Sequence, residues 1–170
     1  IWIGGMDDIC KFDKDLGKEK RIILTSGTYN IEAMADGDSV LWLALMGGGI
    51  GKFHKQTHRL QIFSTREGLA NNFVYDMQQD AKGRLWLGTN KGLSMFNPVS
   101  GYFRNFGVND GLVIEEFNSD AAYQGFDGKM IFGGMGGIVT FYPDSVIRST
   151  ISDDLSAPLI TEFRASGDTL

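Results

Sequence analysis

The sequence predicts an all-β chain built from one short-stranded unit repeated along its length. Two observations carry this reading. The first is a hairpin pattern. Leu85, Trp86 and Leu87 form one apolar run, Leu93, Ser94, Met95 and Phe96 a second, and the turn 88–92 between them is rich in residues that tolerate left-handed backbone. Trp86 alternates with its neighbours, so it faces one side of the sheet and the two leucines face the other. Both sides are then apolar, as in a sheet stacked between other sheets. The second observation is recurrence. Ile1-Trp2-Ile3 leads to Phe12, Leu41-Trp42-Leu43 to Phe53, Leu85-Trp86-Leu87 to Phe96, and Met130-Ile131-Phe132 to Phe141. The tryptophans are 40 and 44 residues apart, and Ile131 takes the same slot 45 residues after Trp86. The closing Phe follows the slot by ten residues in the first, third and fourth copies and by eleven in the second, whose turn Met46-Gly47-Gly48-Gly49 is one residue longer. Repeats of about 40 residues with four short strands each are the signature of a β-propeller, here a fragment of about three and a half four-stranded blades.

The elements follow in order. Residues 1–25 read as the last three strands of a blade, at 1–5, 9–13 and 21–24, with a solvated connection at 13–20. The second blade spans 29–63: an inner strand at 29–35, the turn Asp36-Gly37-Asp38-Ser39, then strands at 40–45, 50–54 and 60–63. That Asp-Gly-Asp turn lacks the further ligands of a calcium loop and reads as a turn. The third blade has strands at 73–79, 84–88, 93–97 and 102–106, with Asp80-Ala81-Lys82-Gly83 turning the first into the second. The fourth runs through 117–124, the turn Phe126-Asp127-Gly128, 129–134 and 138–141. Residues 1–143 are thus assigned to propeller blades. Residues 144–157 are polar and read as a linker, and 158–164 as a strand that either closes the last blade or begins another domain, leaving 144–170 outside the blades proper.

Bulk properties exclude several classes. The net charge is −5 and the lysines and arginines are scattered, so no basic stripe awaits a nucleic acid. No run of eighteen apolar residues crosses a membrane. The chain opens inside a strand motif without an initiator Met or leader, which reads as a piece of a longer protein. The single cysteine, Cys10, lies on an apolar strand and reads as a small core residue. The three Trp residues, at an internally repeated slot, read as core. His54 and His58 flank a strand-to-strand turn with no third ligand in view, so no metal site is assigned and no cofactor is expected.

The third copy carries a resemblance. Glu67-Gly68-Leu69, Asn71-Asn72-Phe73-Val74-Tyr75, Asp80, Gly83-Arg84-Leu85-Trp86-Leu87-Gly88-Thr89, Gly92-Leu93 and Phe96-Asn97-Pro98 resemble the regulator propeller repeat of the periplasmic sensors of hybrid two-component histidine kinases, best known from gut Bacteroidetes. Asp110-Gly111-Leu112, Glu116-Phe117-Asn118, Gly133-Gly134, Gly137 and Phe141-Tyr142-Pro143 are similar to the last repeat of such sensors. Residues 158–163 are similar to the start of the immunoglobulin-like, tyrosine-motif domain that follows it. The resemblance implies an extracytoplasmic sensing function in a receptor with one membrane crossing and a kinase elsewhere in its chain. It also implies a periplasmic location and a ligand derived from glycan breakdown.

A ligand site is expected where the loops entering each inner strand and the turns of the middle hairpins converge. Arg66, Asn71, Asn72, Asn90, Lys91, Asn109, Asp110, Glu115 and Glu116 supply polar groups there, and Tyr29, Phe73, Tyr75, Phe117 and Tyr123 supply rings on which a sugar can stack. Glu115-Glu116 is the one adjacent carboxylate pair among these loops, but neighbours on an extended chain point apart, which speaks against shared acid catalysis. The sensor reading therefore leads. A protein-interaction scaffold that mediates receptor dimerisation is the alternative, with a propeller lyase or hydrolase ranked behind it. An open arc of blades also leaves bare sheet edges, from which self-association of the chain is expected.

Overall fold

The computed structural model describes residues 1–24, 29–149 and 162–164, the last three and residues 148 and 149 by backbone alone. It contains four antiparallel sheets. The first has three strands, β1 (Trp2–Gly4), β2 (Asp8–Asp13) and β3 (Lys18–Ile23). The second is β4 (Ile31–Asp36), β5 (Val40–Leu45), β6 (Gly49–His54) and β7 (Leu60–Phe63). The third is β8 (Val74–Gln79), β9 (Leu85–Thr89), β10 (Gly92–Asn97) and β11 (Tyr102–Phe106). The fourth is β12 (Phe117–Gln124), β13 (Met130–Gly134), β14 (Gly137–Phe141) and β15 (Glu162–Arg164). Within each sheet the strands lie in chain order, the up-and-down meander of propeller blades.

The expected hairpins are present, and two details differ from the sequence reading. The outer strand of the first blade is longer: Lys18, Glu19 and Lys20 pair with Asp13, Phe12 and Lys11 rather than lying in a connection. Charged residues fit there because an outermost strand is solvated, so polarity alone does not mark its ends. The stretch after Phe141 opens with a helix, α1 (Pro143–Ser149), in place of linker. Pro143 sits at a helix start, where the N–H it lacks is not needed, Asp144 follows in the first turn, and Val146 is buried in the cluster between the third and fourth blades. Strand β15 pairs with β14 in the register Ile138↔Arg164, Val139↔Phe163, Thr140↔Glu162. The rest of the stretch read as linker and strand, 150–161, lies outside the described residues.

The core is divided among the contacts between blades. One cluster joins Ile9, Ile22 and Leu24 to Leu41, Leu43, Leu45 and Phe53; the next joins Trp42, Ala44 and Ile50 to Leu85, Leu87, Phe96 and Phe103; the third joins Trp86, Leu93, Met95 and Phe106 to Met130, Phe132, Val139 and Phe141. Each Trp faces forward onto the closing Phe of the following blade. Ring centroids are 6.2 Å apart for Trp2 and Phe53, 5.4 Å for Trp42 and Phe96, and 4.7 Å for Trp86 and Phe141. Geometries from edge-on to tilted suit aromatic pairs, which add to the area each ring buries. The leucines flanking Trp42 and Trp86 face backward onto the preceding blade. This is the two-faced burial that the alternation predicts.

The inner strands β4, β8 and β12 each break register near their start, between Ile31 and Ala33, Val74 and Asp76, and Phe117 and Ala122. At the second break the buried Asp76 carboxylate accepts the N–H of Met77 at 2.7 Å and, across the blade boundary, that of Ala122 at 2.8 Å. A carboxylate tying two irregular strand entries together explains a buried acid at this place.

Candidate functional site

The up-and-down topology sends two kinds of loop to one rim: the turns of the middle hairpins and the connections that enter each inner strand. Around the third and fourth blades these walls enclose an open hollow of ≈ 400 Å³, lined by Leu69, Ala70, Lys91, Asn105, Phe106, Gly107, Val108, Asn109, Asp110 and Glu115.

Each wall is fixed by local chemistry. The turn carrying Lys91 is locked by the buried Thr89, whose Oγ1 donates to the Gly92 carbonyl at 2.7 Å and accepts the Lys91 N–H at 3.0 Å. Gly92 has φ +83°, and a Cβ there would lie 2.4 Å from the Phe106 carbonyl oxygen, so only glycine lets this turn sit against the outer strand. Its N–H donates to the Glu115 carbonyl at 2.6 Å, which seats the 107–116 loop on the hairpin. That loop is anchored by Leu112 and Ile114, both buried in the core below it, while Val113 and Glu115 alternate outward. A 3₁₀ turn at Val108–Asp110 begins it, with Asp110 Oδ2 accepting the Gly107 N–H at 3.0 Å. The third wall, Leu69–Ala70, is held by a relay through the blade. Buried Ser94 donates to Asn105 Oδ1 at 2.7 Å and accepts the Ala70 N–H at 3.3 Å, and Asn105 Nδ2 donates to the Gly68 carbonyl at 2.9 Å.

Of the nine expected ligand residues, Lys91, Asn109, Asp110 and Glu115 come together in this hollow. Glu116 is exposed and does not line it, and its carbonyl accepts the Met135 N–H at 2.8 Å. Arg66 and Asn90 are exposed on the same rim but do not line it. Asn71 and Asn72 shape their own loop: Asn71 Oδ1 accepts the Phe73 N–H and Asn72 Oδ1 the Thr65 N–H, each at 2.8 Å.

None of the expected rings lines the hollow. Phe117 is buried, so it is core rather than a stacking platform. Tyr29 and Phe73 stand beside Gly48 and Gly47 at the hairpin turn of the second blade, one blade away. Asn105, Phe106 and Gly107 line the hollow outside the loops the sequence assigned to the rim, and Asn105 is the polar side chain among them. Its one cue was a polar side chain within an otherwise regular outer strand.

The opposite rim carries a smaller hollow of ≈ 210 Å³, lined by residues that include Asp80, Lys82, Arg84, Asp127, Tyr142 and Asp144. Here the charged side chains are engaged with one another or with Tyr142. Asp80 Oδ2 accepts Arg84 Nε at 2.6 Å and Trp86 Nε1 at 3.0 Å, and its Oδ1 accepts the N–H groups of Lys82 and Arg84. Asp144 on α1 pairs with Lys82 at 2.9 Å and Arg84 at 2.8 Å. Those two hydrogen bonds, Lys82 first, hold its carboxyl below the usual aspartate range. Tyr142 donates to Asp127 at 2.7 Å, which lowers the carboxyl and raises the phenol. This rim is a staple that fastens α1 to the third blade. In contrast, no ion pair among the described residues engages Lys91, Asp110 or Glu115, which leaves their charges available.

His54 and His58 stand at the β6–β7 turn, with the His58 ring stacked on Phe53 at 5.9 Å. Among the described residues no cluster of His, Cys, Asp or Glu is arranged to hold a metal ion, and no helix is long and apolar enough to cross a membrane.

Comparison with known proteins adds family evidence to this geometry. Residues 68–91, from the loop wall through Lys91, match the two component regulator propeller family. Histidine kinase P4 of Formosa agariphila is 27% identical over 103 residues, 61% of this chain and 7% of the relative. The extracellular domain assigned to the hybrid two component system BT3049 of B. thetaiotaomicron superposes with a TM-score of 0.67 at 23% identity, over 82% of this chain and 19% of that one. Virginiamycin B lyase from Staphylococcus aureus shares the fold at TM-score 0.63 and 16% identity, over 82% of this chain and 46% of the enzyme. The chain thus spans a small part of the curated relative and of that extracellular-domain structure.

Proposed function

From a chain whose third blade carries a two component regulator propeller repeat, we propose an extracytoplasmic sensor module that binds a hydroxyl-rich ligand in the Lys91–Glu115 hollow. The ligand class is an oligosaccharide from glycan breakdown, and phosphotransfer belongs to a kinase elsewhere in the receptor. One observation carries the reading. Lys91, Asn109, Asp110 and Glu115 meet in an open hollow where, among the described residues, no ion pair engages the three charged ones, while in the smaller hollow on the opposite rim Lys82 and Arg84 are ion-paired with Asp80 and Asp144. Unpaired donors and acceptors side by side match hydroxyl groups, each of which donates one hydrogen bond and accepts others. The relay from Ala70 through Ser94 and Asn105 to Gly68 ties one wall to the blade, so occupancy of the hollow bears on blade packing. The proposal assigns no catalysis to this chain; both histidines lie on the turn between β6 and β7, away from the hollow.

The test is calorimetric titration and thermal shift with a panel of oligosaccharides, on the parent chain and on Lys91→Ala and Glu115→Gln. At a hundredfold excess over Kd, a bound sugar adds about 2.7 kcal/mol. That is a rise of roughly 5–10 °C in Tm for a chain of this size. Both exposed substitutions are expected to remove the shift and leave the unliganded Tm in place. Binding that survives both would place the ligand elsewhere and refute the assignment.

A further inference from the structure

The third blade departs from the repeat at one cross-strand pair. Two residues before its closing Phe, β10 carries Ser94, opposite Asn105 on β11. The same pair is Cys10 with Arg21 in the first blade, Gly51 with Ile62 in the second and Val139 with Phe163 in the fourth. Ile62 packs against the core, whereas the third blade puts an amide at that place and a fully buried hydroxyl beside it. A buried hydroxyl destabilises unless it is hydrogen-bonded. Ser94 is bonded twice, accepting the Ala70 N–H at 3.3 Å and donating to Asn105 Oδ1 at 2.7 Å. Both of its partners line the Lys91–Glu115 hollow. A polar pair that breaks the pattern of its own repeat, and serves only the walls of a hollow, is placed as functional residues are.

The same contacts fix which way the Asn105 amide faces. The Gly68 carbonyl can only accept, so the atom 2.9 Å from it is the Nδ2 donor, and Oδ1 is left to take the Ser94 hydroxyl. An amide carries two N–H groups and two carbonyl lone pairs. One of each is used, and the side chain is exposed on the wall of the hollow, so one N–H and one lone pair remain for a ligand. We infer that Asn105 is a ligand-reading residue, whose locked amide engages one sugar hydroxyl and selects the oligosaccharides that present it there. The role rests on the sensor reading of this hollow and adds the residue that sets its preference among sugars. An amide already held in place loses little freedom when it binds. A site built to hydrogen-bond a hydroxyl also rejects a sugar that lacks it, because a polar group is then left unpaired. Lys91 and Glu115 are longer and held by no ion pair among the described residues, so they reach hydroxyls in several positions and discriminate less.

Nuclear magnetic resonance on the chain labelled with ¹⁵N-asparagine tests this, with neutral oligosaccharides of glucose, mannose, galactose and xylose as probes. Asn105→Ala deletes one side-chain amide signal and so assigns it. In the parent chain that signal is expected to shift on saturation with the sugars that bind. Titration calorimetry supplies the second arm. Asn105→Ala is expected to weaken the preferred sugar about tenfold, the effect of one hydrogen bond, and to level the affinities across the panel. Ser94→Ala leaves the amide in the hollow but orphans the Ala70 N–H, so it is expected to lower Tm more than affinity. A sugar whose binding is lost in Lys91→Ala and Glu115→Gln, yet leaves the Asn105 amide signal unmoved, overturns the inference alone. So does an Asn105→Ala chain that keeps the parent order of preference, since a residue that only holds the wall weakens every sugar alike. Failure of every sugar to bind the parent chain removes this role together with the sensor reading on which it rests.

Discussion

Replacing Asp80 by Ala removes an acceptor from four donors at once. Its side chain is 3% exposed and takes hydrogen bonds from the N–H groups of Lys82 and Arg84, from Arg84 Nε at 2.6 Å and from Trp86 Nε1 at 3.0 Å. The Trp86 indole is fully buried, so its N–H has no water to turn to, and an orphaned buried donor costs about 1–3 kcal/mol. Arg84, with 11% of its side chain exposed, loses one carboxylate but keeps Asp144 at 2.8 Å. That remaining partner places the ion-pair loss at the lower end of the roughly 3–5 kcal/mol seen when one member of a buried pair is removed. These costs overlap, and together they come to about 3–4 kcal/mol, or roughly 6–16 °C in Tm for a chain of this size. The second blade supplies the control. Asp36 holds the same place ahead of Trp42, but its side chain is 64% exposed, and its partner Lys55 also donates to the Gly37 and Asp38 carbonyls. Asp36→Ala is expected to cost less than about 1 kcal/mol. Differential scanning calorimetry on both variants reads the difference directly. Equal losses, or a small loss at Asp80, would refute the claim that burial rather than repeat position sets the energy of this carboxylate.

Three further outcomes are expected. Gly92→Ala forces a Cβ to 2.4 Å from the Phe106 carbonyl, whereas Gly101→Ala at φ +72° meets nothing within 4 Å. The second carries only the left-handed penalty of about 1–2 kcal/mol, so calorimetry should show a clearly larger loss for the first. Burial raises the Asp76 carboxyl above its ordinary 3.8 despite the N–H bonds that oppose it. A raised folded pKa means ionisation weakens the fold, so this group's contribution improves as pH falls through the folded pKa toward 3.8. Urea midpoints of the parent chain minus those of Asp76→Asn, taken from neutral pH downward, should carry that slope, and a flat difference would refute it. Asp144 works in the opposite sense. Its lowered carboxyl stabilises the fold above the ordinary value and loses that contribution on acidification, weakly because it is exposed, so Asp144→Asn should lower stability at neutral pH more than in acid.

What the sequence made legible here is what repetition encodes. Spacing alone places Trp2, Trp42 and Trp86 on strands, and both faces of the strands of Trp42 and Trp86 are covered as the alternation predicts, while Ile1 and Ile3 beside Trp2 are exposed. The candidate site is only partly periodic, and its reading is correspondingly uneven. Lys91 is reached through the repeat, since a hairpin turn always lies between Trp86 and Phe96. Glu115 and Asn109 are reached because the loop entering β12 must lie on the same rim. Asn71 and Asn72 look equivalent to them in composition, yet their side-chain oxygens are taken up by Phe73 and Thr65 backbone, a choice set by φ and ψ rather than by residue type. Asn105 escapes because its role depends on Ser94 across the sheet and on the Gly68 carbonyl beyond it, three segments that meet only after the blade forms. Helix α1 escapes for a related reason. Its seven residues are too few to hold a helix alone, and burial of Val146 with the pairing of Asp144 to Lys82 and Arg84 supplies the rest. Contacts within the repeat can be read from its period, while contacts between a blade and the non-repeating loops around it are fixed by tertiary geometry. The second kind lines the ligand hollow, so a ligand-specific surface can vary on an unchanging stack of blades.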